Sequence, residues 1–348
     1  MRRLSIYFLI DVSESMIGDP IENVRNGMAS IIKELRADPY ALETVWVSAI
    51  VFAGQPLTVA PLQELISFYP PTIPVGSGTS LSSGLGHLMF ELRKNFIKTT
   101  REQKGDWKPI VFLFTDGVPT DSPADVRAVT AEWKRNWQKT ANLVAVSMGA
   151  TDNRILGELT ENVLYFNNTG QDSYKRFFKW VTDSIKTSSL SVENNSTGFE
   201  LAKLNDTLTK IDLSKQDSKP VVDDNFVTII AKCQNTKQPY LIKYRKFVFE
   251  DEHGDIKMKY RLVGAFKVDQ TYFDLSDETA CEMKVNTEIL DGFPACPCCG
   301  NQYGFAYDGT CGKVHCIGSE KISVCPWCGN KAQYSAGGGD FDISRTRG

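Results

Sequence analysis

The clearest indication of a fold is the stretch Ile6-Tyr7-Phe8-Leu9-Ile10-Asp11-Val12-Ser13-Glu14-Ser15. Its first half is apolar at every position, which is typical of a strand buried on both faces inside a parallel sheet. Ligands of open α/β sheets bind at the carboxyl ends of such strands. A carboxylate and two hydroxyls at alternate positions offer three hard oxygen atoms there, and these suit Mg²⁺, Mn²⁺ or Ca²⁺. The stretch predicts an α/β domain with a cation site at one edge of its sheet.

Two other segments extend the predicted cation site. A glycine-rich turn, residues 76–78, precedes Thr79 and a helix of apolar period, and Thr79 can supply a further oxygen. A second buried strand, residues 110–114, is followed by Thr115 and Asp116. Two carboxylates balance a divalent cation and hydroxyls add no charge, so the ion stays electrophilic, with an open octahedral position for a partner's carboxylate or a water. We predict that one Mg²⁺ (or Mn²⁺ or Ca²⁺) is bound directly or through water by Asp11, Ser13, Ser15, Thr79 and Asp116. The alternative is three unrelated turns, because Asp and Ser are common in turns.

In order and spacing these five residues resemble the metal-ion-dependent adhesion site of von Willebrand factor A domains. The resemblance implies a doubly wound, mostly parallel, Rossmann-like sheet. Strand and helix signals alternate over residues 1–190, which favours the same fold and gives the bounds of the first domain. In relatives the residue between the two serines is often glycine, whereas here it is Glu14. We expect Glu14 to place a bulky anion at the rim of the site.

Composition argues against several classes of protein. A formal net charge of -3 and a pI near 5.8 disfavour a nucleic-acid-binding surface. No run reaches the roughly 18 apolar residues of a membrane span. The apolar stretch near the amino terminus is interrupted by Asp11 before any cleavage site of a secretion signal. We therefore expect a cytoplasmic protein with neither nucleic acid nor membrane as a partner.

A second domain is indicated after residue 190. Ser- and Asn-rich sequence predicts a linker over residues 191–224. Strand-like stretches without long helices follow, and they predict a small β-rich, zinc-ribbon-like domain over residues 225–335. The glycine run 337–339 then predicts a disordered tail over residues 336–348.

Seven of the nine cysteines lie between Cys296 and Cys328, in spacings typical of metal sites. Residues 296–300 and 325–329 are matching Cys-Pro-x-Cys-Gly knuckles. Two knuckles complete a closed, structural Cys₄ zinc site, for which the first candidates are Cys296, Cys299, Cys325 and Cys328. The remaining candidates, which exchange with a knuckle or form a second site, are Cys311 and Cys316, and in addition Cys298 and His315. Cys233 lies in a strand pattern, which favours a buried core thiol. A disulfide or free-thiol cluster is the alternative, and a RING finger would need more Cys and His pairs than the chain has.

Longer segments resemble the TerY family, the von Willebrand A proteins of bacterial tellurite-resistance and stress-response gene clusters. In the first domain they are Met1–Leu4, Asp11–Met16, Asp38–Thr44, Lys104–Pro109 and Phe177–Val181. Residues 260–269 and the two knuckles resemble the TerY-C metal-binding domain. The resemblance implies an adaptor that works with a protein kinase and a PPM-type phosphatase in a phosphorylation-signalling system, without catalysis by this chain.

These motifs are compatible with three functions from different classes. A metal-dependent protein interaction needs only the open coordination position. A metal-assisted hydrolase needs a general base, and the metal loops offer only Glu14 or Asp121 and no histidine. Sequestration of toxic oxyanions or soft metals by the cysteine cluster is the third possibility, and zinc-saturated knuckles suit it poorly. We therefore predict a non-enzymatic adaptor with Mg²⁺ (or Mn²⁺, Ca²⁺) and Zn²⁺ as cofactors.

Overall fold

The structure is a computed structural model that describes residues 2–102, 104–149, 152–167, 171–193, 199–213, 224–277, 283–317, 322–334 and 340–346. The described residues form two compact units. The first lies within Met1–Val12, Gly18–Pro74 and Thr79–Val222, and the second within Ser13–Ile17, Val75–Gly78 and Asp223–Gly348. Two short segments from the first quarter of the chain thus belong to the second unit.

A seven-stranded sheet forms the centre of the first unit. Its strands are β1 (Leu4–Asp11), β2 (Val45–Phe52), β3 (Pro56–Glu64), β4 (Ile110–Thr115), β5 (Asn142–Ser147), β6 (Val163–Phe166) and β7 (Leu208–Lys210). The order is β3-β2-β1-β4-β5-β6-β7. The five inner strands are parallel, and the edge strands β3 and β7 are antiparallel to their neighbours. The prediction of a mostly parallel α/β sheet is confirmed.

Helices cover both faces of this sheet. They are α1 (Asp19–Arg36), α2 (Pro39–Thr44), α3 (Leu81–Asn95), α4 (Pro123–Asn136), α5 (Asn153–Leu159) and α6 (Gln171–Glu193). On one face Leu9 of β1 packs in a buried cluster with Leu85 of α3 and Trp133 of α4. On the other, Phe114 of β4 meets Phe177 of α6 edge to face, with ring centroids 5.6 Å apart. Alternate residues of a strand point to opposite faces, so a strand covered on both sides is apolar throughout. Among the described residues, no helix is long and apolar enough to cross a membrane.

Part of the predicted linker belongs to the first unit, which corrects the boundary at residue 190. Helix α6 continues to Glu193, and β7 pairs with β6 so that Leu208 lies opposite Phe166. Leu208 is buried, as expected for a strand that completes the sheet. A strand of three residues carries too little periodicity to be recognised in a sequence. The Ser- and Asn-rich residues 194–198 and residues 214–223 lie outside the described part of the chain.

The second unit is rich in β-structure, as predicted. Its strands are β8 (Phe226–Lys232), β9 (Pro239–Glu250), β10 (Ile256–Lys267), β11 (Met283–Asn286), β12 (Leu290–Asp291), β13 (Ala306–Asp308), β14 (Lys313–His315), β15 (Ser323–Val324), β16 (Lys331–Ala332) and β17 (Asp342–Arg345). One sheet has the order β12-β10-β9-β8-β14-β13, and β11-β17 and β15-β16 form separate pairs. One further α-helix is present among the described residues, α7 (Gln270–Leu275).

The prediction of a disordered tail over residues 336–348 is wrong for residues 342–345. These residues form β17, which pairs antiparallel with β11. Ile343 is buried in the core of the second unit, and the Thr346 hydroxyl lies 2.5 Å from the Thr228 hydroxyl. The partner strand lies more than fifty residues earlier, and for that reason the tail sequence alone gives no sign of the pairing. Residues 335–339, which include the glycine run, and residues 347–348 lie outside the described part of the chain.

Candidate metal centres

The strand ends of the first unit bring carboxylate and hydroxyl oxygens together. Strands β1 and β4 are parallel neighbours with Ile10 opposite Phe114, so Asp11 and Thr115 leave the sheet side by side. The Thr115 hydroxyl donates a hydrogen bond of 2.6 Å to Oδ2 of Asp11, which is fully buried. Since Asp116 follows Thr115 directly, the two predicted carboxylate ligands come from adjacent strand ends.

Thr79 is held at the same edge by its backbone. Its amide donates to the Thr120 hydroxyl at 3.0 Å, and the Thr120 amide donates to the Thr79 carbonyl at 2.9 Å. These reciprocal bonds fix the start of α3 against the loop after β4. A Cβ atom placed on Gly117 would lie 3.1 Å from Oγ1 of Thr79 and 3.8 Å from Oδ2 of Asp11. A hydroxyl and a carboxylate oxygen therefore converge on a space that only glycine leaves open.

Ser13 and Ser15 lie in the second unit. Their hydroxyl oxygens are 2.9 Å apart, and both residues are buried. Ser13 precedes the 3₁₀ turn Glu14–Met16 and Ser15 lies within it. The boundary between the units passes between Val12 and Ser13, so three of the five predicted ligands belong to the first unit and two to the second. The assignment of all five to one ion stays a prediction.

Glu14 is not the exposed anion that the sequence led us to expect. Its side chain is 0% exposed. Tyr272 donates its hydroxyl to Oε1, while Thr228 and Ser77 donate to Oε2 at 3.2 and 3.4 Å. Burial raises the pKa of Glu14 to about 7, against the opposing effect of these hydrogen bonds. Glu14 is therefore a buried anchor rather than a charge at a rim.

Two clusters of possible metal ligands lie in the second unit. The first consists of Cys233, Cys296, Cys299 and Cys316, whose sulfur atoms all lie within 4.8 Å of one another. The Cys316 sulfur is 3.9 Å from that of Cys299 and 3.8 Å from that of Cys233. Four sulfurs at about 2.3 Å from one zinc ion form a tetrahedron with edges of about 3.8 Å. The spacing therefore fits a closed Cys₄ zinc site.

The second cluster consists of Asp308, Cys311, Cys325 and Cys328. The sulfurs of Cys311 and Cys325 are 3.8 Å apart, and the Cys328 sulfur is 3.4 Å from Oδ2 of Asp308. A tetrahedral zinc with one oxygen ligand has a sulfur–oxygen edge of about 3.6 Å, because Zn–O distances are shorter than Zn–S distances. This cluster fits a Cys₃Asp zinc site.

Repeated turns build both clusters. In each predicted knuckle the first cysteine accepts a hydrogen bond of 2.9 Å from the amide four residues on, at Gly300 or Gly329. These glycines have φ of 75° and 79°, in the left-handed region that glycine tolerates best. Cys233 begins a turn with the same bonds, in which Lys237 takes the glycine's place with φ of 60°. Cys233 is therefore a knuckle cysteine rather than an isolated core thiol.

The expected pairing of the two knuckles in one site is corrected by this arrangement, because each knuckle joins a different cluster. Sequence reasoning missed Cys233 and Asp308. The signal for Asp308 was present, since residues 308–312 read Asp-Gly-Thr-Cys-Gly and match the Cys-x-x-Cys-Gly spacing with Asp in the first position.

Two further predicted ligands lie outside both clusters. His315 has Nδ1 2.9 Å from the Cys316 carbonyl oxygen and Nε2 2.8 Å from the Tyr334 hydroxyl, so both ring nitrogens face other partners. The Cys298 sulfur lies 3.8 Å from the Gln238 carbonyl oxygen. Neither side chain is a member of either cluster, although both residues lie between Cys296 and Cys328.

Comparison with protein families agrees with this architecture. The model of the von Willebrand factor type A domain matches residues 5–180, half of the chain. The chain belongs to the von Willebrand factor type A domain family. The TerY-C metal binding domain matches residues 223–348, so the von Willebrand A domain is followed by the TerY-C domain expected from the sequence. Ser13–Ile17 lies in the sequence of the former and in the structural unit of the latter.

Three solved structures similar to this von Willebrand A protein are each at most 19% identical to it in sequence. Proximal thread matrix protein 1 from the mussel byssus, solved with a zinc-occupied MIDAS motif, is 19% identical, with a TM-score of 0.37 over 54% of this chain and 46% of that chain. The PilB minor pilin from Streptococcus sanguinis is 13% identical, with a TM-score of 0.40 over 55% and 63%. BatB from Bacteroides thetaiotaomicron is 15% identical, with a TM-score of 0.34 over 53% and 99%. The chain spans about half to two thirds of the length of the first two. Comparison with curated proteins gives no match.

The donors of the von Willebrand A domain fit a hard divalent cation. Asp11 and Thr79 provide a carboxylate and a hydroxyl around the space at Gly117, and oxygen donors suit Mg²⁺ better than they suit a thiophilic metal. The cysteine clusters of the TerY-C domain fit zinc by donor type and by spacing. The two kinds of site therefore differ in the metal that they would hold.

Replacing Gly117 with alanine tests the first of these sites. The new methyl group would press on Oγ1 of Thr79 at 3.1 Å, and Mg²⁺ affinity should fall roughly tenfold, since metal sites tolerate little displacement of a ligand. Gly117 does not have a positive φ, so the backbone itself accepts alanine. Isothermal titration with Mg²⁺ measures the effect. Gly86→Ala is the control, because a Cβ there meets no atom within 4 Å, and equal Mg²⁺ affinity of both variants would contradict the prediction.

Proposed function

We propose that the protein is a non-catalytic adaptor that binds a protein partner through a divalent cation held by Asp11, Ser13, Ser15, Thr79 and Asp116. The observation that carries the proposal is the convergence of carboxylate and hydroxyl oxygens at the ends of β1 and β4, in a chain that combines a von Willebrand A domain with a TerY-C metal-binding domain. The combination supports a metal-binding adaptor.

Charge and donor type decide what this site does. Asp11 and Asp116 would balance the two positive charges of a bound Mg²⁺. The hydroxyls would be uncharged ligands around the same ion. A bound ion would supply a Lewis-acidic position with room for one more ligand. The group best suited to that position is the carboxylate of an Asp or Glu on the partner, which brings a charge that the neutral site lacks.

The hydrogen bonding of the two candidate bases supports binding over hydrolysis. Glu14 is buried and accepts bonds from Tyr272, Thr228 and Ser77. Asp121 accepts bonds of 2.6 and 2.7 Å from the Ser80 and Ser82 hydroxyls, which tie it to the start of α3. A general base must reach the water that it activates. Both carboxylates have structural roles instead.

The partners are part of the proposal. The resemblance to the TerY family favours a protein kinase and a PPM-type phosphatase of a bacterial stress or tellurite-resistance phosphorylation system, in the cytoplasm. The TerY-C domain, with zinc in its cysteine clusters, would provide a second docking surface. Two surfaces on one chain raise the effective concentration of one partner near the other.

Affinity capture of the kinase and phosphatase tests the proposed function. The wild type and Asp11→Ala are each incubated with the two partners in Mg²⁺ and in EDTA. We expect the wild type to retain a partner only with Mg²⁺ and Asp11→Ala to retain at least tenfold less, because one of two charged ligands is gone. Retention of both partners unchanged in EDTA would refute the mechanism, and metal-dependent phosphatase or protease turnover by the purified chain would refute the non-enzymatic assignment.

A further inference from the structure

The segment Ser13–Ile17, called here the hydroxyl segment, is packed as an integral part of the second unit. Its last residue, Ile17, is 5% exposed and belongs to a buried apolar cluster with Leu241, Val268 and Tyr272. Val75, from the other short segment of this unit, packs against the same cluster. The segment that carries two predicted metal-binding hydroxyls is therefore packed against residues from the carboxy-terminal third of the chain.

Lys243 of β9 holds the backbone of this segment. Its ammonium group donates hydrogen bonds to the carbonyl oxygens of Ser15 at 2.5 Å and Ile17 at 3.0 Å. It also lies 4.4 Å from the ring centroid of Phe226. Only 3% of Lys243 is exposed. Burial of an ammonium group is costly unless its donors are satisfied, so the two carbonyls and Lys243 constrain one another strongly.

The neighbouring strand supplies a second attachment. Thr228 of β8 lies directly opposite Lys243 of β9, so the two side chains project from the same face of the sheet. Thr228 donates to Glu14, and Tyr272 donates to the other carboxylate oxygen. Lys243 thus holds the main chain of the hydroxyl segment, and Thr228 and Tyr272 hold the side chain of Glu14.

We propose that Lys243 is a positioning residue for the cation site: by fixing the main chain of the hydroxyl segment, it holds the Ser13 and Ser15 hydroxyls where they bind the ion. The proposal rests on the proposed function, since it assumes that the two hydroxyls are ligands. It makes Mg²⁺ affinity depend on the sheet of the TerY-C domain. By linkage, Mg²⁺ must then stabilise that domain as well. Glu14 gives the segment a side chain through which the domain holds it.

Mg²⁺ titration of the full chain, with Mg²⁺ alone as the probe, tests this proposal. The variants are Lys243→Met, which keeps the apolar stem and removes the donors, and Lys243→Arg, which keeps the charge and donors. We expect Lys243→Met to weaken Mg²⁺ binding at least tenfold and Lys243→Arg to recover part of the loss. Lys246→Met is the matched control, because it removes the same charge from the same strand but its ammonium pairs with Asp224. It should bind Mg²⁺ like the wild type.

Zinc content and the unfolding temperature separate positioning from a purely structural role. A structural role alone would lower the unfolding temperature of Lys243→Met and leave its Mg²⁺ dissociation constant unchanged, and that result overturns the proposal. Should Lys243→Met lose zinc or fail to fold, hydrogen exchange of the wild type with and without Mg²⁺ becomes the decisive measurement, since linkage requires Mg²⁺ to stabilise the sheet that carries Lys243. Exchange of the β8 and β9 amides that Mg²⁺ leaves unchanged then overturns the proposal.

Asp116→Ala separates failure of this proposal from failure of the proposed function. If Asp116→Ala abolishes Mg²⁺ binding but Lys243→Met binds Mg²⁺ as tightly as the wild type, only the role of Lys243 is refuted. The absence of any Asp116-dependent Mg²⁺ binding in the wild type refutes the cation site and the positioning role together.

Discussion

Removal of zinc is expected to unfold the TerY-C unit and to leave the von Willebrand A unit folded. We expect two zinc ions per chain, one in each cysteine cluster. Structural zinc contributes roughly 10–16 kcal/mol to the folding of a small module. The whole stability of a domain is about 5–15 kcal/mol, so loss of either ion removes most of it. Elemental analysis gives the zinc content, and hydrogen exchange after chelation locates the unfolded residues.

Single substitutions test the ligand assignment. Cys296→Ser should remove one equivalent of zinc and destabilise the unit, because Cys296 lies in the first cluster. Cys298→Ser is the matched control, since Cys298 belongs to the same knuckle but lies outside both clusters. Asp308→Ala should remove the other equivalent. Less than one zinc per chain, or equal zinc loss in Cys296→Ser and Cys298→Ser, would contradict the assignment.

Asp116→Ala is expected to reduce Mg²⁺ affinity at least about 100-fold, or about 2.8 kcal/mol, because one of the two carboxylates that balance the ion is lost. The first unit should keep its fold, since Asp116 is partly exposed and follows the sheet rather than lying in it. Isothermal titration with Mg²⁺ and a thermal unfolding curve measure the two effects.

Asp172→Asn is the control for charge alone. Asp172 is an exposed carboxylate in the first turn of α6, so its removal changes the net charge without touching the strand ends. It should bind Mg²⁺ like the wild type. Identical Mg²⁺ binding by Asp116→Ala and the wild type would show that the site is misassigned.

Local patterns were sufficient to predict several features from the sequence. The run at residues 6–10 indicates a fully buried strand, and all eight residues of β1 are buried. Asp11 at the end of β1 and Thr115 at the end of β4 lie side by side, as the parallel pairing of these strands predicts. The knuckle turns at residues 296–300 and 325–329 form as expected, because neighbouring residues and a left-handed glycine determine them.

Other features depend on contacts between residues far apart in the chain, and only the tertiary structure decides them. Glu14 is bound by Thr228 and Tyr272, which lie 214 and 258 residues further along the chain. Lys243 lies 228 residues from Ser15. Cys233 joins its cluster through Cys316, 83 residues away. The register of β8 against β9 sets which side chains share a face and therefore which of them meet the hydroxyl segment. The periodicity of each strand can be read from the sequence, but the register between strands depends on the packing and hydrogen bonding of the whole sheet. The sequence therefore predicts the elements and their local turns, whereas the folded sheet determines which distant residues meet.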